Sequence, residues 1–206
     1  MPIVAAEWIR GADSRLSQRW DRQVEVLARG LDRLSHSHHR RRAKKRIREL
    51  GRPSQILVVC TGNIFRSPYA AELLRTALER TGSSNVQVES AGFIDPGRPA
   101  DGLGLSHALL RGIDISQHRS RLVLAEDAVR FDVILAMTRH HRNELIRRFA
   151  FSPQRIFLLG DFDADDPPQR EIPDPFGVTA DVFQKIFEQI DRSVRGFAEI
   201  LTTLPE

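Results

Sequence analysis

The sequence is poor in cysteine: Cys60 is the only one in 206 residues. That excludes an intramolecular disulfide, and it fits a reducing, cytoplasmic setting. No apolar run approaches the roughly 18 residues of a membrane span. The start, Met1-Pro-Ile-Val-Ala-Ala6, is too short for a secretory h-region, and Glu7 and Arg10 follow at once. The most basic stretch, His36 to Arg48, contains no Phe, Trp or Tyr on which a base could stack. Nucleic-acid binding is therefore not expected there. Its histidines, His36, His38 and His39, have no carboxylate or cysteine close by in sequence, so no metal site is expected either. Internal repeats are absent.

With 41% hydrophobic and 28% charged residues, the chain reads as soluble and globular, with room for one ordinary domain and some chain left over. The charge is placed unevenly. Residues 1–54 carry 14 Lys/Arg against 6 Asp/Glu, net +8, while the remainder is net −4. The asymmetry divides the chain into a basic extension, residues 1–53, and a domain, residues 54–206, with Gly51-Arg-Pro53 as the break. Within the extension, Leu16, Trp20, Val24, Leu27, Leu31 and Leu34 recur at helical spacing, and Asp13 or Ser14 can cap the start. Two readings stay open. The helix docks or dimerises, or it packs on its own domain. The basic run from 36 to 46 reads as a solvated segment that could meet an acidic partner.

From residue 54 the pattern alternates. Strands are predicted at 55–59, 86–89, 131–136 and 155–159. Helices are predicted from Pro68 to Arg80, over 101–111, as a turn at 126–130, from the Thr138 cap to Phe149, and over 179–201. Strands separated by helices require crossover connections, so the expected fold is α/β: a four-stranded parallel sheet flanked by helices, plus the helical extension. Ligands of such sheets bind at the carboxyl ends of the strands.

Cys60 stands at such an end, followed by Thr61-Gly62-Asn63-Ile64-Phe65-Arg66-Ser67-Pro68. An arginine six positions after a cysteine is a weak signal in a chain with 28 arginines. Context sharpens it. A strand precedes, Gly62 and Asn63 tolerate left-handed backbone, and Pro68 opens a helix. A loop of this kind turns successive N–H groups inward to form an anion cradle at a helix N-terminus. The same field stabilises a thiolate, and Arg66 can bind two oxygens of a tetrahedral anion in a fork. Attack of sulfur on phosphorus is the natural reaction. The leaving oxygen needs a proton. Asp174, between Pro173 and Pro175, is the candidate acid, with Asp161, Asp163, Asp165 and Asp166 as rivals that read as a solvated acidic loop.

These residues resemble the low-molecular-weight protein tyrosine phosphatases over about residues 55–205. Cys60-Thr-Gly-Asn-Ile-Phe-Arg-Ser67 matches the family's Cys-x5-Arg-Ser/Thr, and Asp174-Pro-Phe176 matches its Asp-Pro-aromatic motif. Ser90-Ala-Gly92, His118-Arg-Ser-Arg121 and Phe131-Asp-Val-Ile-Leu-Ala-Met137 are also similar to family blocks. The resemblance implies Cys60 as nucleophile, Arg66 as phosphate ligand, and Asp174 as general acid and then base toward water. It implies Thr61, Gly62, Asn63 and Ser67 in the phosphate loop, Ile64, Phe65 and Phe176 as pocket walls, and Ser90 and His118 with Asn63 and Ser67 as a supporting network. It implies a phosphorylated protein substrate and no cofactor.

The match has departures. Family members often carry a second cysteine beside the position of Phe65, and this chain has none. Gly177 replaces a frequent second aromatic. Asp-Pro-Phe-Gly177 and Ala136-Met-Thr138 look like the bacterial branch, which includes protein arginine phosphatases. Those place Thr where Ile64 stands, and Ile suits an aryl ester better than a guanidinium. Arsenate reductases share the fold but need further cysteines. The expected activity is phosphotyrosine hydrolysis in proteins through a cysteinyl-phosphate. The alternatives are phosphoarginine hydrolysis and non-catalytic phosphate binding.

Overall fold

The structure, a computed structural model, describes residues 37–83, 85–165 and 169–205. The apolar stripe from Leu16 to Leu34 lies outside them. Four strands form one parallel sheet: β1 (Gln55–Val59), β2 (Gln87–Ala91), β3 (Val133–Ala136) and β4 (Ile156–Leu158), in the order β2-β1-β3-β4. β1 runs Ile56-Leu-Val-Val59 without a polar break because both its faces are covered. Ile56 and Val58 pack into one core cluster, Leu57 and Val59 into another.

The first cluster lies under α2 (Arg66–Arg80) and α6 (Ala180–Thr202), through Tyr69, Leu74 and Leu78 on one and Phe187, Ile190, Val194 and Phe197 on the other. Val182, in the first turn of α6, is 42% exposed. The second cluster lies under α5 (Arg139–Phe149), which supplies Leu145, with Phe131 and Phe151 beside it. The short helix α4 (Asp127–Arg130) precedes β3. α3 (Gly102–Leu109) begins at Asp101, whose carboxylate accepts from the Leu103 amide at 3.0 Å. Of its leucines and the one that follows, Leu105 is partly buried against the core and Leu103, Leu109 and Leu110 are exposed, while Gly104 and Ala108 face inward. Small residues are required there because a Cβ on Gly104 would come within 2.8 Å of the Phe65 ring.

The basic run is solvated on one side only, where His38, His39, Arg41, Arg42, Lys45 and Arg48 are exposed. Residues 37–50 form helix α1, and its inner side carries Ala43 and Ile47 into the first core cluster. The Arg46 guanidinium sits 4.6 Å over the Phe157 ring. With only two apolar positions four apart, this face has no clear periodic signature among nine basic neighbours, His38 and His39 included.

The register levels the carboxyl ends of three strands. Val59 pairs with both Ala91 and Ala136, so Cys60, Gly92 and Met137 leave the sheet side by side. Among the described residues, no helix is long and apolar enough to cross a membrane.

Candidate active site

Cys60 follows the last residue of β1, and its amide donates to the Ala91 carbonyl at 3.3 Å. The loop then turns sharply enough for α2 to start at Arg66, with Pro68 inside its first turn, where the missing N–H costs nothing. The left-handed turn falls on Asn63 (φ 53°), not on Gly62. Asparagine tolerates that region because its short amide bonds locally. Here the Asn63 side chain is fully buried and saturated. Its Nδ2 donates to Ser67 Oγ at 2.9 Å and Ser90 Oγ at 2.8 Å, and its Oδ1 accepts from the Arg121 amide at 3.0 Å. The Asn63 carbonyl accepts from His118 Nε2 at 2.7 Å. Burial lowers the His118 pKa, an effect that this hydrogen bond opposes.

The sulfur is held from two sides. The Asn63 amide points at Cys60 Sγ from 3.3 Å, and Ser67 Oγ lies 3.0 Å away. Cys60 is only 2% exposed, at the floor of an open pocket of about 170 Å³. Thr61, Gly62, Ile64, Phe65 and Arg66 contribute to the walls from the loop, and Asp174 and Phe176 from the segment before α6. Ile94 and Arg98, which the sequence reading did not single out, line it from the loop after β2.

Arg66 is 3% exposed and bridges the two halves. One terminal nitrogen donates to the Ile172 carbonyl at 3.1 Å, the other to the Asp174 carboxylate. Its Nε is buried with no hydrogen-bond partner among the described residues. Asp174 in turn caps its own turn, accepting from the Phe176 amide at 3.0 Å. The rival aspartates are engaged elsewhere. Asp161 is 4% exposed and bound in a fork by Arg170, Nε at 2.5 Å and Nη2 at 2.7 Å. Asp163 is fully buried, holding Arg192 at 3.1 Å, and Asp165 meets the same guanidinium at 3.2 Å. Two of the rivals are thus buried ion-pair anchors, not a solvated acidic loop. Asp166 lies outside the described residues. Among the described residues, no group of three or more His, Cys, Asp or Glu is placed to hold a metal ion.

Residues 55–204 match the family model described as low molecular weight phosphotyrosine protein phosphatase. The chain belongs to that family. It is 34% identical to the low molecular weight protein-tyrosine-phosphatase Etp of Escherichia coli (strain K12) over 153 residues, which is 72% of this chain and 95% of Etp. It is 36% identical over 140 residues to the probable phosphatase EpsP of Ralstonia nicotianae, 68% of this chain and 90% of EpsP. Among solved structures it resembles the tyrosine phosphatase Wzb of Escherichia coli K30 in complex with sulphate. That match has a TM-score of 0.64 and 28% identity, and covers 71% of this chain and 97% of Wzb. The YwlE arginine phosphatase is similarly close, at TM-score 0.65 and 28% identity, covering 72% of this chain and 96% of YwlE.

In this low-molecular-weight phosphatase the loop has a further prop. His141, in the first turn of α5, sits 2.9 Å by Nε2 from Thr61 Oγ1 and 3.0 Å by Nδ1 from Thr138 Oγ1. Its ring stacks on Phe93 at 5.8 Å. Burial first, then the positive charge of Arg66, push its pKa down to about 3, so the imidazole is neutral at pH 7. The sequence offered one clue: His141 stands three residues after the Thr138 cap, where side chain and cap can meet. Gly92 is the other hidden requirement. A Cβ there would fall 2.6 Å from the Thr61 carbonyl oxygen and 2.9 Å from the Asn63 nitrogen, so the nearest strand end must be glycine.

Proposed function

We propose that this phosphatase hydrolyses phosphotyrosine in proteins, with Cys60 as nucleophile, Arg66 as the phosphate-binding cation and Asp174 as the acid. The supporting observation is the Arg66 guanidinium. It lies beside the sulfur loop, nearly buried, and touches Asp174 from the far end of the domain. A phosphoryl dianion over Cys60 would take this fork, including the otherwise unpartnered Nε. Sulfur forms the S–P bond as the P–O bond to the aryl group breaks, and the leaving oxygen takes the Asp174 proton. Asp174, now a base, accepts a proton from water. That water breaks the S–P bond and releases phosphate and the thiolate. Arg66 and the loop amides supply the positive field for the transferring group.

Asn63, Ser67, Ser90 and His118 act as positioning residues that fix the loop. Ile64, Phe65 and the 82% exposed Phe176 present apolar surface at the pocket mouth, which favours an aryl ester over a phosphorylated guanidinium. The chemistry belongs to residues 54–206. The basic segment before them is a docking element, for the chain's own net-negative domain or an acidic partner, and a cytoplasmic setting suits an enzyme resting on one unpaired cysteine. The test is dephosphorylation of matched phosphotyrosine and phosphoarginine peptides by wild type and Cys60→Ser. Turnover of phosphotyrosine that vanishes in Cys60→Ser is expected. Faster turnover of phosphoarginine would overturn the substrate assignment, and residual activity in Cys60→Ser would overturn the covalent mechanism.

A further inference from the structure

A second cavity, of about 360 Å³, lies between α1 and the domain and shares no lining residue with the Cys60 pocket. Five guanidiniums converge on it: Arg42 and Arg46 from α1, Arg139 and Arg142 from α5, and Arg170 from the loop that leads to Asp174. Two of these charges are answered. Arg170 is forked by Asp161, and Arg139 lies 3.0 Å from Glu171. Three are not. Arg46 meets the Pro153 and Gln154 carbonyls and the Phe157 ring but no carboxylate in an ion pair, and Arg42 and Arg142 have no side-chain partner among the described residues. A second hollow runs on from the first and shares Arg42, Arg46 and Arg142. Glu49 on its wall is paired with Lys45 at 3.6 Å.

Three uncompensated like charges around one partly desolvated hollow repel one another, and a polyanion relieves that cost. At Arg46, burial first and then Arg42 and Arg142 lower the pKa, and Glu49 opposes them. Guanidiniums are the side chains best shaped to fork phosphoryl oxygens. Among the described residues, the Phe, Tyr or Trp ring in the wall is Phe157 alone, and it is buried beneath Arg46, which leaves a nucleobase only the His39 imidazole to stack on. We infer that the cleft between α1 and α5 is a binding site for a small oligophosphate, recognised through Arg42, Arg46 and Arg142.

The experiment is calorimetric titration of tripolyphosphate into the full chain, with benzylphosphonate present to occupy the Cys60 pocket. One tripolyphosphate per chain is expected. Arg42→Ala/Arg142→Ala should weaken it by about a hundredfold, since each of the two charge-assisted contacts is worth roughly tenfold. Arg41→Ala/Arg48→Ala removes the same charge from exposed positions of α1 that line neither hollow, and should leave binding nearly unchanged. Arg42→Ala/Arg142→Ala should melt no lower than the wild type, since it relieves the repulsion, and both double variants should keep the turnover of p-nitrophenyl phosphate. Absence of binding in wild type, or an equal loss in the two variants, would overturn the site and leave only a diffuse basic surface.

Discussion

Arg66 donates to the Asp174 carboxylate across 108 residues of chain, so the cation of the sulfur loop and the acid of the C-terminal segment hold one another in place. Asp174 keeps about half its side chain exposed while Arg66 is nearly buried. The carboxylate can therefore swing toward a leaving group at the pocket mouth without dragging the guanidinium from beside Cys60. That asymmetry suits the proposed role, in which Asp174 gives a proton and then takes one.

Asp174→Ala should lower kcat on phenyl phosphate by about 10²–10⁴. The loss should be much smaller on p-nitrophenyl phosphate, whose leaving group needs little protonation. Equal losses on the two substrates would assign Asp174 a purely structural role through Arg66.

Gly92→Ala should damage fold and activity together. The added methyl meets backbone atoms, which cannot rotate away. Overpacking of this kind costs about 1–3 kcal/mol, and here the strain falls on Thr61 and Asn63. A lower melting temperature with at least a proportionate loss of turnover is expected. A variant with wild-type stability would mean that the loop relaxes freely.

His141 should make stability fall in acid. Its pKa of about 3 lies below the ordinary 6.5, so below pH 6.5 the unfolded chain binds a proton that the folded chain refuses. Stability from this group is complete above pH 6.5 and is lost as pH falls from there toward 3. Between pH 7 and 4.5 the wild type should lose on the order of 2 kcal/mol more than His141→Gln, read from urea midpoints. His118 shifts in the same direction and remains in both proteins, so it cancels in the comparison. Parallel pH profiles would show that His141 is protonated in the folded state.

Ile47→Ala tests whether α1 belongs to the core. Ile47 is fully buried, and truncating such a side chain costs about 2–5 kcal/mol. The melting temperature should drop while kcat on p-nitrophenyl phosphate, measured well below it, holds, because the proposed catalytic residues all lie at 60 or later. An unchanged melting temperature would detach α1 from the domain. A selective loss of kcat would make α1 part of the active site.

The sequence by itself determined the parts of this protein whose signals are local. An aliphatic run, a Gly-Asn turn and a proline fixed a strand, a loop and a helix around Cys60. Alternating strands and helices fixed a parallel sheet, and prolines on both sides of Asp174 marked a held carboxylate. Tertiary structure decided what depends on partners far along the chain. It buried Asp161 and Asp163 against arginines and left Asp174 half-exposed in the wall of the Cys60 pocket. It brought His141 to Thr61 across 80 residues, and of the two candidates, Gly62 and Asn63, it put the left-handed turn on Asn63, whose amide found Ser67, Ser90 and Arg121. It also folded a basic stretch into the core through Ala43 and Ile47. Periodicity records which face of a helix is apolar; it holds no record of which distant side chain will neutralise a charge or fill a hydrogen bond, because that choice is made only when the sheet levels its strand ends.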